Sequence, residues 1–138
     1  MTSGYLLDTN TVSETRKLHP NRAVIDFLDS LDESVLFLSV LTLGELYKGI
    51  KMKHRKDPSN AARLSHWLNE IEKTYADRIL LVDSRIVKLW GELSANRSMP
   101  VIDTLIAATA RVHNLSLVTR NIADFKSANA ALINPWQD

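Results

Sequence analysis

Short apolar runs alternate with longer amphipathic segments along most of the chain. Four of the apolar runs are bounded by turn-forming residues and have the length of buried strands. They cover residues 4–8, 34–39, 79–82 and 115–119, and a shorter fifth strand is predicted in the tail at Leu132 and Ile133. The segments between them carry apolar residues at helical spacing, so helices are expected to separate the strands.

Several predicted helices have recognisable ends. Asn21 is suited to cap one helix, and Asp83 or Ser84 to cap a later one. Pro100 suits the first position of a helix that ends near Asn114. The predicted helices cover residues 10–17, 22–31, 42–55, 58–75, a segment from 84 onwards, and 100–113. Because helices separate the strands, we predict an α/β fold with a mostly parallel sheet of four to five strands and helices on both faces.

Length and composition narrow the class of protein. The chain has 138 residues, which favours a single domain over residues 1–138. It has no cysteine, which excludes disulfides, zinc–thiolate sites and a thiol nucleophile. No apolar run approaches the roughly 20 residues that span a bilayer, and the first residues lack a signal-peptide pattern, so we expect a cytoplasmic protein with no membrane contact. The formal net charge is +1, so binding to nucleic acid would need a local basic patch.

Four acidic residues stand where a parallel sheet would bring them together. Asp8 follows the first predicted strand, Glu45 lies one turn into the helix after the second, and Asp124 follows the fourth. Asp103 lies in the first turn of a helix that is apolar on nearly all sides. Each acid has an ordinary explanation as a helix cap, an exposed helix residue, a dipole partner or a turn residue. The set is therefore more informative than any one member.

These carboxylates are expected at one edge of the sheet, because the carboxyl ends of parallel strands face the same crevice. Carboxylates within a few ångströms of one another repel, which raises the pKa of some of them, and a divalent cation relieves that repulsion. An all-oxygen ligand set without cysteine or a histidine constellation suits Mg²⁺ or Mn²⁺. Such ions can orient a phosphodiester, activate a water and stabilise the leaving oxygen.

The same residues resemble a known family, the PIN-domain ribonucleases, and within it the VapC-type and FitB-type toxins of bacterial toxin–antitoxin systems. The resemblance is carried by motifs at residues 6–10 (Leu-Leu-Asp-Thr-Asn), 39–46, 103–110 and 119–125, and by the closing Asn134-Pro135-Trp136. Length and motif order agree over essentially the whole chain.

The resemblance implies a PIN-like fold and a Mg²⁺-dependent endoribonuclease that a cognate antitoxin of the VapB or FitA type holds inactive. It implies that Asp8 and Asp103 are the principal metal ligands and that Glu45 completes the acidic site, directly or by orienting a water. Relatives often carry an acid where this chain has Asn121, so Asp124 is expected to be the fourth acid. The replacement of an acid by Asn121 bears on the binding of a second metal ion more than on the binding of the first. The resemblance also implies a homodimer, and contact with DNA only through the antitoxin.

Weaker assignments surround this acidic site. Thr9, Asn10, Arg120 and Asn121 are candidates for RNA binding or for supporting the acids. Arg120 could hold a substrate phosphate bidentately or pair with a site carboxylate, and the sequence favours neither. Trp136 is expected in the core or at an interface rather than against a base. A basic run could be a solvated helix face or a track for the RNA backbone; it comprises Lys48, Lys51, Lys53, His54, Arg55 and Lys56.

Two other functions are compatible with parts of the sequence. Residues 8–12 resemble the Asp-x-Asp-x-Thr/Val pattern of haloacid dehalogenase phosphatases, but Asn10 replaces the second aspartate, the general acid of that family. A PIN fold that has lost its nuclease activity and serves as a binding module is the second alternative. Retention of Asp8, Glu45 and Asp103 argues against it, because an unused buried carboxylate is costly.

Overall fold

The computed structural model describes residues 2–95 and 98–136, and the strands in them form a five-stranded sheet. The strands are β1 (Gly4–Leu7), β2 (Leu36–Ser39), β3 (Ile79–Leu80), β4 (Leu115–Val118) and β5 (Leu132–Ile133). Neighbouring strands are all parallel, in the order β3-β2-β1-β4-β5. The five predicted strands are confirmed, with shorter spans for the first four. The start of the second predicted strand is instead a 3-10 turn at Glu33–Val35, capped by the Asp32 side chain.

Helices separate most of the strands. They are α1 (Thr9–Glu14), α2 (Arg22–Asp29), α3 (Val40–His54), α4 (Pro58–Thr74), α5 (Ser84–Ser94), α6 (Val101–Val112) and α7 (Ile122–Phe125). The Asn21 side chain caps α2 as predicted, and Asp83 rather than Ser84 caps α5. Pro100 is the N-cap of α6 instead of its first residue. In residues 2–95 and 98–136, no helix combines the length and apolar character that a bilayer span requires.

Helices cover both faces of the sheet, as predicted. Successive strand residues point to opposite faces, so Leu6 and Leu7 belong to different cores. The first core joins the sheet to α1, α3 and α4, and includes Leu7, Val12, Leu38, Leu46, Ile50 and Leu68. The second joins it to α6 and α7, and includes Leu6, Ile106, Ala107, Ala110, Leu117 and Phe125.

The strand order creates a crevice beside β1. The chain builds from β1 through β2 to β3 on one side, and β4 then pairs with the other side of β1. At such a switch point the segments that leave the two adjacent strands diverge, which opens a binding crevice at their carboxyl ends. Because Leu7 pairs with Val118, the residues that enter this crevice are Asp8 and Thr119.

Candidate active site

Asp8 lies at the base of the crevice and caps α1. Its side chain is buried, with the residue 5% exposed. Its Oδ1 atom accepts a hydrogen bond of 2.9 Å from the Thr9 backbone N–H, and its Oδ2 atom accepts one of 2.8 Å from the Thr119 hydroxyl. Burial, with a smaller contribution from the charges of Asp103 and Glu45, raises the pKa of Asp8 to about 6, although the two hydrogen bonds lower it. Asp8 is thus both a helix cap and a member of the acidic site.

Glu45 and Asp103 approach Asp8 from two different helices. Glu45 lies on α3, and its Oε1 atom accepts a hydrogen bond of 2.5 Å from the Thr9 hydroxyl. Asp103 is half-buried in the first turn of α6. Burial raises the pKa of Asp103, and the charges of Glu45 and then Asp124 raise it further. The acids therefore influence one another electrostatically although they are far apart in sequence.

Asp124 lies further out than these three acids. It is exposed on α7, a short helix that the sequence pattern did not predict. Asn121, just before α7, lines the same cleft as Asp8, whereas Asp124 is absent from the described lining residues. Asp124 acts on the site through its charge, which raises the pKa of Asp103.

Asp8, Glu45 and Asp103 share an open cleft of about 410 Å³. Its described lining comprises Asp8, Thr9, Asn10, Ser13, Glu14, Lys17, Glu45, Asp103, Arg120, Asn121 and Trp136. All the predicted site residues except Asp124 are among them. The cleft therefore brings together the residue after β1 and residues of α1, α3, α6 and the segment after β4.

The acidic residues do not form a complete metal cage by themselves. Within the described residues, no group of three or more His, Asp or Glu side chains is placed to hold a metal ion. Asp124 lies outside the described cleft lining, and Asp8 and Glu45 each accept a hydrogen bond from a threonine hydroxyl.

Thr119 supports Asp8 in a way that the sequence did not reveal. Its hydroxyl oxygen accepts hydrogen bonds from the Asn121 backbone N–H at 3.0 Å and from the Asn10 side chain at 3.4 Å. With both acceptor positions used, its proton is directed to Asp8. Asn10 in turn accepts from the Arg120 backbone N–H at 3.4 Å. The sequence feature that could have identified Thr119 is its position, since Thr119 directly follows β4 just as Asp8 directly follows β1.

Two further cleft residues, Glu14 and Lys17, were also missed. Glu14 is only 4% exposed, and its carboxylate forms a 2.9 Å salt bridge with the Lys17 ammonium group. The Lys17 hydrogen bond lowers the pKa of Glu14, helped by the Asn21 backbone N–H and the charge of Arg120. Helical spacing from Asn10, at i+4 and i+7, is the signal that could have placed both residues at the cleft.

Arg120 and Trp136 meet at the rim of the same cleft. The Arg120 guanidinium carbon lies 5.6 Å from the centre of the Trp136 ring. Trp136 is buried, as predicted, yet its ring also lines the cleft. Among residues 2–95 and 98–136, Arg120 forms no salt bridge with a carboxylate. The predicted pair between Arg120 and a site carboxylate is therefore not seen in the described residues, and a contact between Arg120 and a substrate phosphate stays a prediction.

Every residue of the basic run from Lys51 to Lys56 is exposed. Lys51 packs its ammonium group over the Tyr47 ring at 5.3 Å. Lys53 lines a smaller neighbouring cleft of about 190 Å³, which shares Thr9 and Glu45 with the larger one. A role in RNA binding stays a prediction, because exposure alone is equally expected of a solvated helix face.

Comparison with known proteins agrees with this architecture. The model of the PIN domain family matches residues 5–130. Toxin FitB of Neisseria gonorrhoeae is 32% identical over 138 residues, covering 96% of this chain and 99% of FitB. The VapC ribonuclease Y4jK of Sinorhizobium fredii is 33% identical over 140 residues, covering 96% of this chain and 97% of that protein.

Solved structures give the same result. The crystal structure of FitAcB from Neisseria gonorrhoeae matches with a TM-score of 0.87 and 31% identity, covering 97% of this chain and 99% of the matched chain. The structure of VapBC2 from Rickettsia felis, bound to a DNA fragment from its promoter, matches with a TM-score of 0.74 and 25% identity over 94% of this chain and 97% of the matched chain. This chain belongs to the PIN-domain family, in the group that contains FitB-type and VapC-type proteins.

Proposed function

We propose that this protein is an endoribonuclease toxin that hydrolyses phosphodiester bonds in RNA with Mg²⁺ or Mn²⁺, and that a cognate antitoxin neutralises it. The observation that carries the proposal is the convergence of Asp8, Glu45 and Asp103 on one open cleft. Burial and mutual repulsion raise the pKa of Asp8 and of Asp103, so the arrangement costs stability and needs a functional explanation. Relatives named as VapC ribonucleases support the reaction class.

The oxygen donors in the cleft fit a hydrated divalent cation. Mg²⁺ keeps several of its waters and commonly uses one or two carboxylates together with substrate phosphate, so a complete protein cage is not required. Asp8 and Asp103 are the residues that would hold the ion. When bound, it would supply charge stabilisation at the phosphodiester and a more acidic water.

The remaining residues have roles that follow from their contacts. The Thr119 hydroxyl and the Thr9 backbone N–H hold the two carboxylate oxygens of Asp8 in place. The Thr9 hydroxyl orients Glu45, which leaves the second oxygen of Glu45 free to accept a proton from an attacking water. Asp124 is an outer carboxylate that adds negative potential at Asp103.

Asn10 and Asn121 contribute neutral groups to the cleft. Asn10 links the start of α1 to the segment after β4. Asn121 offers an amide where an acid would add further repulsion, which suits a site built for one principal metal ion. The membership of the chain in the PIN-domain family argues against the phosphatase alternative.

The proposed partner is an antitoxin of the VapB or FitA type. Structural relatives include FitAB bound to a DNA fragment and VapBC2 bound to promoter DNA, so we propose that DNA contact here is made through the antitoxin. A groove of about 500 Å³ beside the cleft combines apolar and basic side chains, and it is lined by Arg16, Lys17, Leu18, Asn60, Arg63, Leu64 and Trp67. An antitoxin segment with apolar and acidic side chains would fit this lining. We further propose a homodimer that acts on RNA in the cytoplasm.

The test is RNA cleavage by protein purified free of antitoxin. We expect cleavage with Mg²⁺, none with EDTA, and none with Asp8→Asn. The matched control is Asp29→Asn, which makes the same change at an exposed residue of α2. Cleavage that survives both EDTA and Asp8→Asn would refute the mechanism. Failure to cleave any RNA would favour the binding module, and sequencing of RNA ends after induction in cells would identify the target.

A further inference from the structure

We propose that Lys17 and Arg120, supported by Glu14 and Trp136, form a phosphate-binding wall that holds an RNA phosphate next to the one being hydrolysed. We call these four residues the basic wall. The inference rests on the proposed nuclease function and adds to it the residues that retain the substrate. All four line the cleft that contains Asp8 and Asp103.

The charge balance of the cleft shows why such a wall is needed. Its described lining contains four carboxylates, Asp8, Glu14, Glu45 and Asp103, and only two permanent cations, Lys17 and Arg120. A polyanion would be repelled by this excess of negative charge. The proposed divalent cation offsets part of this excess, and Lys17 and Arg120 are the cleft residues that can offer further positive charge to phosphates.

Lys17 is fixed by a buried partner. Its ammonium group lies 2.9 Å from a carboxylate oxygen of Glu14, and the side chains of Lys17 and Glu14 are 49% and 5% exposed. An ammonium group has three donors, so those not directed to Glu14 are available to a phosphate. Anchoring a flexible lysine in advance reduces the entropy that substrate binding must remove.

Glu14 is a carboxylate where a neutral side chain would suffice for the fold. Its second oxygen accepts a 2.7 Å hydrogen bond from the Asn21 backbone N–H, at the start of α2. A glutamine oxygen could accept the same bond. The negative charge, whose burial is costly, is explained by its effect on Lys17.

Arg120 is fixed by an aromatic face. The guanidinium group lies over the Trp136 ring at 5.6 Å, and its residue is exposed. Among residues 2–95 and 98–136 only the backbone N–H of Arg120 donates a hydrogen bond, and its side chain forms no salt bridge. The guanidinium fork can therefore meet two oxygens of a phosphate.

The test measures RNA binding without cleavage. A fluorescein-labelled single-stranded oligoribonucleotide is titrated in EDTA over a range of salt concentrations. We expect Lys17→Met and Arg120→Met each to raise Kd about tenfold at low salt. Each should also lower the slope of log Kd against log salt by about 0.7, the value for one lost contact to a single strand. Lys73→Met is the matched control, because Lys73 also pairs with a glutamate three residues earlier but lies on α4.

Double-mutant cycles test the two supporting residues. Glu14→Gln removes a negative charge that repels RNA, whether or not Lys17 is present. Only the difference between its effects on RNA affinity with and without Lys17 therefore tests the support that Glu14 gives to Lys17. We expect Glu14→Gln to affect RNA affinity at least threefold more adversely when Lys17 is present than in Lys17→Met. Trp136→Leu should be coupled in the same way to Arg120→Met. Arg120→Lys should restore the salt slope without the full affinity, because lysine lacks the bidentate fork.

The outcomes separate this inference from the nuclease proposal. If Lys17→Met and Arg120→Met match Lys73→Met in affinity and salt slope, the basic wall is refuted. It is also refuted if the wild type neither binds RNA in EDTA nor binds or cleaves it with Mg²⁺. If the wall variants weaken binding but the wild type never cleaves RNA with Mg²⁺, the wall stands and the nuclease proposal fails. With an active enzyme, we expect the loss in the wall variants mainly in KM.

Discussion

Replacing Asp8 with asparagine is expected to abolish RNA cleavage while making the metal-free protein more stable at neutral pH. Asp8 is 5% exposed, and its pKa is raised from 3.8 to about 6 in the folded protein. The folded state therefore binds this proton more tightly than the unfolded chain does. Ionisation of Asp8 therefore lowers the free energy of unfolding as pH rises from about 4 to about 6. Above that range the destabilisation by Asp8 is constant.

The size of the penalty follows from the shift. Each pKa unit corresponds to about 1.4 kcal/mol, so a rise from 3.8 to about 6 amounts to about 3 kcal/mol above pH 6. Asparagine keeps one oxygen for the Thr9 backbone N–H but leaves the Thr119 hydroxyl proton without its acceptor, which costs about 1 kcal/mol. The net gain should be about 2 kcal/mol, or several degrees in Tm for a domain of this size.

Urea unfolding in EDTA at several pH values between 4 and 8 measures this effect. The wild type should lose stability across pH 4 to 6, and Asp8→Asn should lose about 3 kcal/mol less over that interval. Asp124→Asn is the matched control, because it removes an exposed carboxylate near the same site and should alter stability by less than about 0.5 kcal/mol. A stability difference between Asp8→Asn and wild type that does not depend on pH would contradict the reasoning.

Three further results are expected. Asp103→Ala should abolish cleavage yet leave the urea midpoint unchanged or higher, since it relieves repulsion with Glu45; a collapsed fold would instead assign Asp103 a structural role. Thr9→Val should lower kcat about tenfold by releasing Glu45, whereas Thr9→Ser, which keeps the hydroxyl, should remain active in the same cleavage assay. Mg²⁺ at a hundredfold excess over its Kd should stabilise the wild type by about 2.7 kcal/mol in thermal unfolding, and an equal shift in Asp8→Asn would argue against Asp8 as a ligand.

Local patterns were sufficient for most of the secondary structure. Buried parallel strands are short apolar runs bounded by turn formers, and all five could be recognised in that way. The helix α7 escaped because its four residues are too few to show periodicity. Asp8 and Glu45 were recognised because every parallel strand delivers its following segment to the same edge of the sheet. Asp103 was recognised as a carboxylate in the first turn of an apolar helix.

The sheet order and the long-range contacts required the tertiary structure. The bond from Thr119 to Asp8 joins residues 111 positions apart, and the stacking of Arg120 on Trp136 depends on the path of the chain through α7 and β5. The same path places Asn121 in the cleft and Asp124 outside it. A single sequence shows which residues follow each strand, but it does not show which strands are neighbours in the sheet. Strand pairing is decided by burial over the whole sheet. Here it places β4 beside β1, so the segments that follow these two strands form the walls of the crevice.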